Sequence, residues 1–146
     1  MSSDLEPPST VTLRLGYLLK HAQLRLAELA EPHYEALGIT GRQLALLTLF
    51  GDGPPQSQQD GAARLGIDRT TMVALVDELE EKGLVRREVA PGDRRKRLVR
   101  LTDAGVKLLR AGGGVTEMVE DIFLAPLAAE DSRRLRHALD LIVRAR

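Results

Sequence analysis

The sequence predicts a mainly helical (α+β) fold in which six helices accompany one short antiparallel β-hairpin. Three observations support this class. Apolar residues recur at spacings of three and four along most of the chain. Two runs of strand-forming residues flank a Pro-Gly-Asp turn at residues 91–93. The hydrophobic content of 43% over 146 residues is enough for one domain with a substantial core.

Two helices are predicted in the first third of the chain. The first should run from Thr10 to about Pro32, because its leucines repeat on one face. Thr40 is the expected cap of a short, nearly all-apolar helix over Arg42–Phe50, which should be buried on all sides. A break rich in Gly and Pro over residues 51–55 follows.

Two more helices, joined by a tight turn at Gly66, are predicted next. The first, Ser57–Leu65, begins with Ser57 as its cap, and the second covers Arg69–Lys82. Four apolar residues of the second helix share one face, which leaves its other face exposed: Met72, Leu75, Val76 and Leu79. Such a pair can place its second helix in the major groove of DNA, although similar pairs are common in protein cores.

The hairpin is predicted over Leu84–Val89 and Arg97–Leu101. Thr102 or Asp103 should cap the helix that follows. Within that helix the triplet Gly112–Gly114 predicts a kink or a frayed turn, because each interior glycine costs about 1 kcal/mol relative to alanine.

After this break the helix should resume over Val115–Phe123, and a last helix is predicted over Glu130–Ala145. Its apolar face, like that of the first helix, lies too far along the chain from the hairpin to be buried by that region alone. These two faces predict a dimer.

Charge is balanced overall and strongly uneven locally. The chain has 21 basic and 21 acidic residues, for a formal net charge of +0. Residues 82–100 nevertheless contain eight Lys or Arg and two acids, a local balance of +6. This basic segment predicts either contact with nucleic acid or a solvated run of charge. Its basic members are Lys82, Arg86, Arg87, Arg94, Arg95, Lys96, Arg97 and Arg100.

Three motifs carry a resemblance to a known family: LGIDRTT at residues 65–71, LVDELEEKGLV at 75–85 and DRRKRLVRLTDAG at 93–105. With these residues the chain resembles the multiple antibiotic resistance regulators, the MarR family. The resemblance implies a single winged helix-turn-helix domain whose DNA-binding lobe is residues 41–102. Within it, the recognition helix is expected at about 69–82 and the wing at about 84–101. Residues 10–36 and 103–146 would form the dimerisation helices.

The resemblance also implies a function and its partners. We expect a homodimeric, sequence-specific regulator that acts as a repressor and binds a palindromic operator in double-stranded DNA. A small anionic, aromatic or phenolic ligand would release it from the operator. The alternative is an architectural protein that coats DNA without sequence preference, with almost wholly electrostatic binding. No cofactor or metal is expected, and the protein is expected to be cytoplasmic, with no membrane segment or signal peptide.

Site residues follow from the resemblance, position by position. Arg69 and the two threonines after it begin the recognition helix, where side chains and amides would meet bases and phosphates. Arg95 takes the wing-tip position that enters the minor groove, and Asp93 would hold the wing and orient Arg95. The full predicted DNA-binding set is Ser57, Gln58, Gln59, Arg69, Thr70, Thr71, Val73, Ala74, Arg94, Arg95, Lys96 and Arg97. For Arg86, Arg87 and Arg100, a role as solvated strand residues is at least as well supported as contact with DNA.

The recognition helix departs from the family pattern at three positions. Many relatives carry polar or basic residues where this chain has Val73 and Ala74, and a basic one where it has Glu78. Val73 and Ala74 can touch thymine methyl groups but cannot donate hydrogen bonds to guanine. Glu78 is expected to face away from the phosphates.

Four residues are candidates for an effector site. Tyr17 and His21 lie four apart on the first helix and share a face, and Tyr34 and Arg42 flank the connection to the second helix. Tyr17 and His21 could equally be ordinary residues of the dimer interface. An enzyme is not expected, because the three histidines are scattered and no serine lies in a nucleophile or phosphate-loop motif.

Overall fold

The computed structural model describes residue 10 and residues 13–145. The chain divides into two compact units, one of Met1–Ala30 with Glu117–Arg146 and one of Glu31–Thr116. We call the first the terminal unit and the second the lobe. The lobe contains the whole helix-turn-helix region and the hairpin, together with Glu31–Ala36 and Asp103–Thr116 from the predicted dimerisation segments. Residues 11, 12 and 146 of those segments lie outside the described residues.

Helices dominate the chain, and one small antiparallel sheet with strand order β1-β3-β2 completes it. This architecture confirms the predicted fold class. The elements are α1 Leu15–Ala36, α2 Gly41–Gly51, β1 Gln56–Ser57, α3 Gln58–Leu65, α4 Arg69–Glu81, β2 Val85–Ala90, β3 Asp93–Leu101, α5 Asp103–Leu124 and α6 Ala129–Arg144. No helix in the described part of the chain is long and apolar enough to cross a membrane.

Side-chain caps begin the helices of the lobe where the sequence predicts them. Thr40 and Gln43 form a reciprocal capping box at α2, and Ser57 Oγ accepts from the Asp60 amide at α3. Thr102 Oγ1 accepts from the amide of Gly105 and so caps α5. Gly66 takes the left-handed conformation at φ 65° that ends α3 and starts the turn into α4.

The core of the lobe forms around α2, whose four leucines and Phe50 are buried. Ala45 and Thr48 are exposed on one side of α2, so the prediction that this helix is buried on all sides is wrong. One face of α4 joins this core through Met72, Val76 and Leu79, and the sheet adds Val85 and Val99. The opposite face of α4 stays exposed to solvent. The packing of α4 therefore presents that face outward from the lobe.

A two-residue strand, β1, joins the hairpin to helix α3, and the sequence analysis did not predict it. Gln56 pairs with Val99 and Ser57 with Leu98. Because Ser57 also caps α3, the first turn of α3 is attached directly to the base of the wing.

Helix α1 passes through Pro32, whereas the sequence analysis placed its end there. It begins at Leu15 and continues to Ala36. The last turn holds because Tyr34 packs against the lobe core and its hydroxyl lies 2.9 Å from Thr116 Oγ1. These contacts offset the backbone hydrogen bond that a proline inside a helix removes.

Helix α5 is continuous through Gly112–Gly114, so the frayed turn, one of the two predicted alternatives, is wrong. Gly112 is buried, and a Cβ there would lie 3.0 Å from Leu44 Cδ2 and closer still to Cδ1. A Cβ on Gly113 or Gly114 would meet nothing within 4 Å. The first glycine therefore permits the close approach of α5 to α2, which stabilises the helix against its low propensity.

Candidate nucleic-acid interface

A concave cleft of about 340 Å³ lies in the lobe between α3, α4 and the wing. It brings together residues from three separate stretches of the sequence. Met72 lines the cleft together with eight of the twelve predicted DNA-binding residues. These eight are Ser57, Gln58, Gln59, Arg69, Val73, Arg95, Lys96 and Arg97. Thr70, Thr71, Ala74 and Arg94 do not line the cleft; Thr70 and Ala74 are exposed on α4 and Arg94 at the wing tip.

The start of α4 is fixed by Asp68. Its carboxylate accepts from the Thr71 amide at 2.8 Å and from the Thr71 hydroxyl at 2.6 Å. These bonds, the hydroxyl one first, hold the pKa of Asp68 below its ordinary value. The Thr71 hydroxyl is therefore engaged by the cap, whereas Arg69 and Thr70 project at the exposed N-terminal turn.

Each glutamine at the start of α3 is held by an arginine. Arg69 Nη2 donates to Gln59 Oε1 at 3.2 Å, and Arg87 Nε donates to Gln58 Oε1. The neighbouring Ser57 is only 2% exposed, and its hydroxyl is occupied by the α3 cap. The DNA contact predicted for the Ser57 side chain is thus replaced by a supporting role, because burial and capping leave its hydroxyl unavailable.

The wing tip is closed by its own polar groups. Asp93 Oδ1 accepts from the backbone amide of Arg95 at 3.0 Å, and Arg97 Nη1 donates to the Arg94 carbonyl at 2.8 Å. Gly92 turns the chain at φ 79°. Asp93 therefore holds the backbone of the tip, and in this structure its recorded hydrogen bond is to the amide of Arg95 rather than to the guanidinium.

The structure divides the basic segment into paired and unpaired cations. Arg86 and Arg100 both bond to Glu88, and these bonds, the Arg86 one first, keep the pKa of that carboxyl below its ordinary value. Lys96 Nζ lies 3.6 Å from an Asp60 carboxylate oxygen. Lys82 and Arg87 are also engaged, as described below.

Among the described residues, Arg94, Arg95 and Arg97 make no ion pair. All three are exposed at the wing tip. Three of the eight basic residues of this segment are thus unpaired cations at the end of the hairpin, where they attract phosphate most strongly.

The C-terminal end of α4 is anchored to the start of α2. Lys82 Nζ donates to the Gly38 carbonyl and to Gln43 Oε1, both at 2.9 Å. Gln43, 4% exposed, donates through Nε2 to Glu78 at 3.1 Å. Glu78 therefore bonds to α2, in keeping with the expectation that it faces away from the phosphates.

Arg87 is one of three strand arginines, with Arg86 and Arg100, for which the sequence supports a solvated role at least as well as DNA contact. Its guanidinium bonds to Asp77, Glu80, the Val73 carbonyl and Gln58. One signal in the sequence was the i, i+3 spacing of Asp77 and Glu80, which puts two carboxylates on one face of α4 and calls for a cation opposite them.

The four candidate effector residues fall in different units. Tyr17 and His21 belong to the terminal unit, and their rings stack with centroids 4.0 Å apart and planes at 28°. Tyr34 and Arg42 belong to the lobe, where the Tyr34 hydroxyl bonds to Thr116 and Arg42 is exposed on α2. The predicted pairing of Tyr17 with His21 on one face is present.

The known proteins to which this chain is similar are transcriptional regulators. A profile of the MarR family matches residues 37–96. The HTH-type transcriptional repressor NicR of Pseudomonas putida is 30% identical over 122 residues, which cover 84% of this chain and 77% of NicR. A putative transcriptional regulatory protein for the hcr operon of Thauera aromatica is 32% identical over 96 residues, which cover 65% of this chain and only 58% of that protein.

Solved structures agree with these relatives. The transcriptional repressor CouR bound to a 23-mer DNA duplex has a TM-score of 0.86 and 33% identity, covering 92% of this chain and 95% of that one. CouR from Rhodococcus jostii RHA1 bound to p-coumaroyl-CoA has a TM-score of 0.82 and 25% identity, covering 95% and 98%. These proteins are named as regulators rather than enzymes. The chain belongs to the MarR family of winged-helix, DNA-binding transcriptional regulators.

Proposed function

We propose that the protein is a dimeric repressor that binds a palindromic operator through α4 and the wing and that releases it when a small anionic or phenolic ligand binds. The cleft between α3, α4 and the wing carries this proposal. It joins hydrogen-bonding side chains at the ends of two helices to the unpaired arginines of the wing tip. Such a surface combines groups that read base edges with groups that hold the backbone.

The two parts of the surface have different roles. The exposed face of α4 offers Thr70, Val73 and Ala74 to the major groove, with the two apolar side chains suited to thymine methyl groups. Arg95 extends from the wing tip toward the adjacent minor groove, where a narrow A·T-rich segment attracts a cation most strongly. CouR and NicR are both named repressors, which supports repression as the outcome.

Selection from a pool of randomised DNA duplexes tests sequence specificity. Enrichment of a palindrome, bound at least about 1,000-fold more tightly than a random duplex of equal length, is the expected result. Equal binding of enriched and random duplexes at several salt concentrations would instead support the architectural, non-specific alternative.

Two wing variants distinguish a contact that reads the DNA sequence from a contact that only binds phosphate. Arg95→Ala should weaken binding of the selected duplex by about 1–3 kcal/mol and reduce the effect of flanking A·T content. Lys96→Ala should weaken both duplexes about equally and lower the salt slope by about one, because a phosphate contact releases a counterion without reading sequence. If Arg95→Ala folds and binds the selected duplex as tightly as the parent, the wing does not read DNA here.

Dimerisation is supported by the apolar side chains that one chain leaves exposed in the terminal unit. Helix α6 has no buried residue, and Ile142 and Val143 are 65% and 76% exposed. Leu15 on α1 is 67% exposed. A second copy of the chain would remove this surface from water. Sedimentation at micromolar concentration should show twice the 16.0 kDa of one chain, and a species of 16.0 kDa alone would contradict the proposal.

The ligand part of the proposal is supported by CouR, whose solved structure contains p-coumaroyl-CoA. Within the lobe, Tyr34 and Arg42 are the proposed contacts, with Arg42 as the cation for a carboxylate. Tyr17 and His21 are a separate proposed pair in the terminal unit. Thermal-shift screening against a panel of aromatic acids should find a ligand that raises the melting temperature and weakens operator binding 5- to 150-fold, the usual range of coupling. Arg42→Ala is the matched test of the carboxylate contact, since its side chain is exposed.

A further inference from the structure

Arg87 on strand β2 connects three elements of the lobe. Its side chain is only 18% exposed. Nη1 pairs with Asp77 at 2.7 Å and with Glu80 at 3.2 Å, and Nη2 donates to the Val73 carbonyl at 3.2 Å, so the guanidinium is fixed against the middle of α4. Nε donates to Gln58 at the start of α3. Arg87 is therefore an internal link of the interface and not a cation projecting into solvent.

This link determines which end of the Gln58 amide is available. A glutamine amide carries an accepting oxygen and a donating NH₂ group, and either end can face a ligand. A guanidinium only donates, so it binds the oxygen of Gln58 and leaves the two N–H donors of Nε2. Gln58 lines the cleft together with Arg95. The NH₂ group is therefore the end of the amide that Arg87 leaves free.

We propose that Arg87 is a positioning residue that sets Gln58 as a hydrogen-bond donor to DNA, and that this polarity contributes to operator choice. The acceptors it would select in the major groove are purine N7, guanine O6 and thymine O4. Arg69 holds Gln59 in the same sense, at 3.2 Å from Nη2 to Oε1, so both glutamines present donors. The inference rests on the proposed function, because it requires the cleft to face DNA.

Asp77 and Glu80 explain why Arg87 positions Gln58 and does not attract DNA by its charge. The two carboxylates offset the positive charge of the guanidinium and orient it with its Nε toward Gln58. Arg87 therefore adds little to the binding of random DNA, in contrast to the unpaired arginines of the wing tip. This difference gives the proposal a measurable signature, the ratio of affinities for selected and random duplexes.

The test is a double-mutant cycle on that ratio. Arg87→Met, Gln58→Ala and the double variant are measured against the duplex that the parent selects from a randomised pool and against a random duplex of equal length. Each single change should lower the ratio by a factor of about ten, and the double change by no more than either, because both remove one interaction. Losses that multiply to about a hundredfold would overturn the proposal. So would equal weakening on both duplexes with a salt slope lowered by about one, the signature of a phosphate contact.

A second variant keeps the proposal testable if Arg87→Met does not fold. Gln58→Glu retains an oxygen for Arg87 but has no N–H to donate, so it should fold like the parent and lower the ratio at least as much as Gln58→Ala. A Gln58→Glu protein that keeps the parental ratio would overturn the proposal. Failure of the parent to enrich any duplex would refute the proposed function itself, and this inference with it.

Discussion

Gly105, in the first turn of α5, is the position where adding a single methyl group should be most costly. It is buried, and a Cβ there would lie 3.0 Å from the carbonyl carbon of Leu84 and closer still to the oxygen. That oxygen already accepts from the Thr102 amide at 3.0 Å. The nearest atoms are backbone atoms of Leu84, so no side-chain rotation relieves the clash. Gly105→Ala must separate α5 from the start of β2.

The size of the effect follows from three contributions. Overpacking costs about 1–3 kcal/mol, and the strained Thr102–Leu84 hydrogen bond adds about 1 kcal/mol. The better helix propensity of alanine returns about 1 kcal/mol. We expect a net loss near 3 kcal/mol at the upper end of this range and a melting temperature lower by about 10 °C.

Gly113→Ala is the matched control, because the same substitution in the same helix meets nothing within 4 Å. It should stabilise the protein by about 0.4–1 kcal/mol. Both proteins are melted at one fixed concentration and followed by circular dichroism at 222 nm, a helix wavelength, since dimerisation makes the transition concentration-dependent. If Gly105→Ala melts within about 2 °C of Gly113→Ala, the close approach at Leu84 does not constrain α5 and the reasoning is wrong.

Three further predictions concern the cap, the wing and the terminal unit. Asp68→Asn keeps a capping oxygen without a titrating group. Hydrogen bonding lowers the pKa of Asp68 from its ordinary value of 3.8. The carboxylate therefore stabilises the fold above that pH, and this stabilisation is lost as the pH falls through the lowered pKa. Acid melts of the variant should therefore depend less on pH below about 4 than those of the parent, and identical slopes would exclude this role. Asp93→Ala removes the acceptor for the Arg95 amide and should weaken the selected duplex less than Arg95→Ala does in a mobility-shift assay; parental affinity would show that the turn holds without the carboxylate. Ile142→Glu places a charge on the exposed apolar face of α6 and should move sedimentation toward the 16.0 kDa single chain, whereas an unchanged dimer would place the interface elsewhere.

Local signals in the sequence were enough to predict most elements. Thr40 and Ser57 cap helices where their residue types predict, because a cap depends on neighbours within three residues. The apolar spacing of α4 places the correct face in the core, since those four side chains lie on one side of the helix. The hairpin follows from Gly92 and the strand-forming runs around it.

The errors come from contacts between distant residues. Pro32 and Gly112 both predict an end or a break, and both lie inside continuous helices. Tyr34 reaches Thr116, 82 residues away, to hold the turn after Pro32. Leu44 fills the space that Gly112 leaves open. Tertiary packing overrides propensity at these positions, and no local pattern reports it.

In the candidate site, too, local sequence predicted part of the arrangement and contacts between distant residues decided the rest. Residue types and motif positions predicted which side chains would gather at the cleft, and Gln58, Arg69 and Arg95 do line it. The same signals could not predict which hydrogen bonds each side chain makes or how deeply it is buried. The burial of Ser57 depends on the pairing of β1, and the role of Arg87 depends on carboxylates from another element. Such engagement is set by three-dimensional neighbours rather than by composition.

The pairing of β1 with β3 has a consequence for how this lobe can be altered. It places the root of the hairpin and the first turn of α3 on a common ladder, with Gln56 opposite Val99. The segment Pro91–Lys96, which includes Arg94 and Arg95 of the wing tip, lies beyond that ladder. We therefore expect the tip to behave as an interchangeable module: loops of other lengths or charges, grafted between Ala90 and Arg97, should retune the preference for flanking DNA and leave the register of α4 in the groove unchanged.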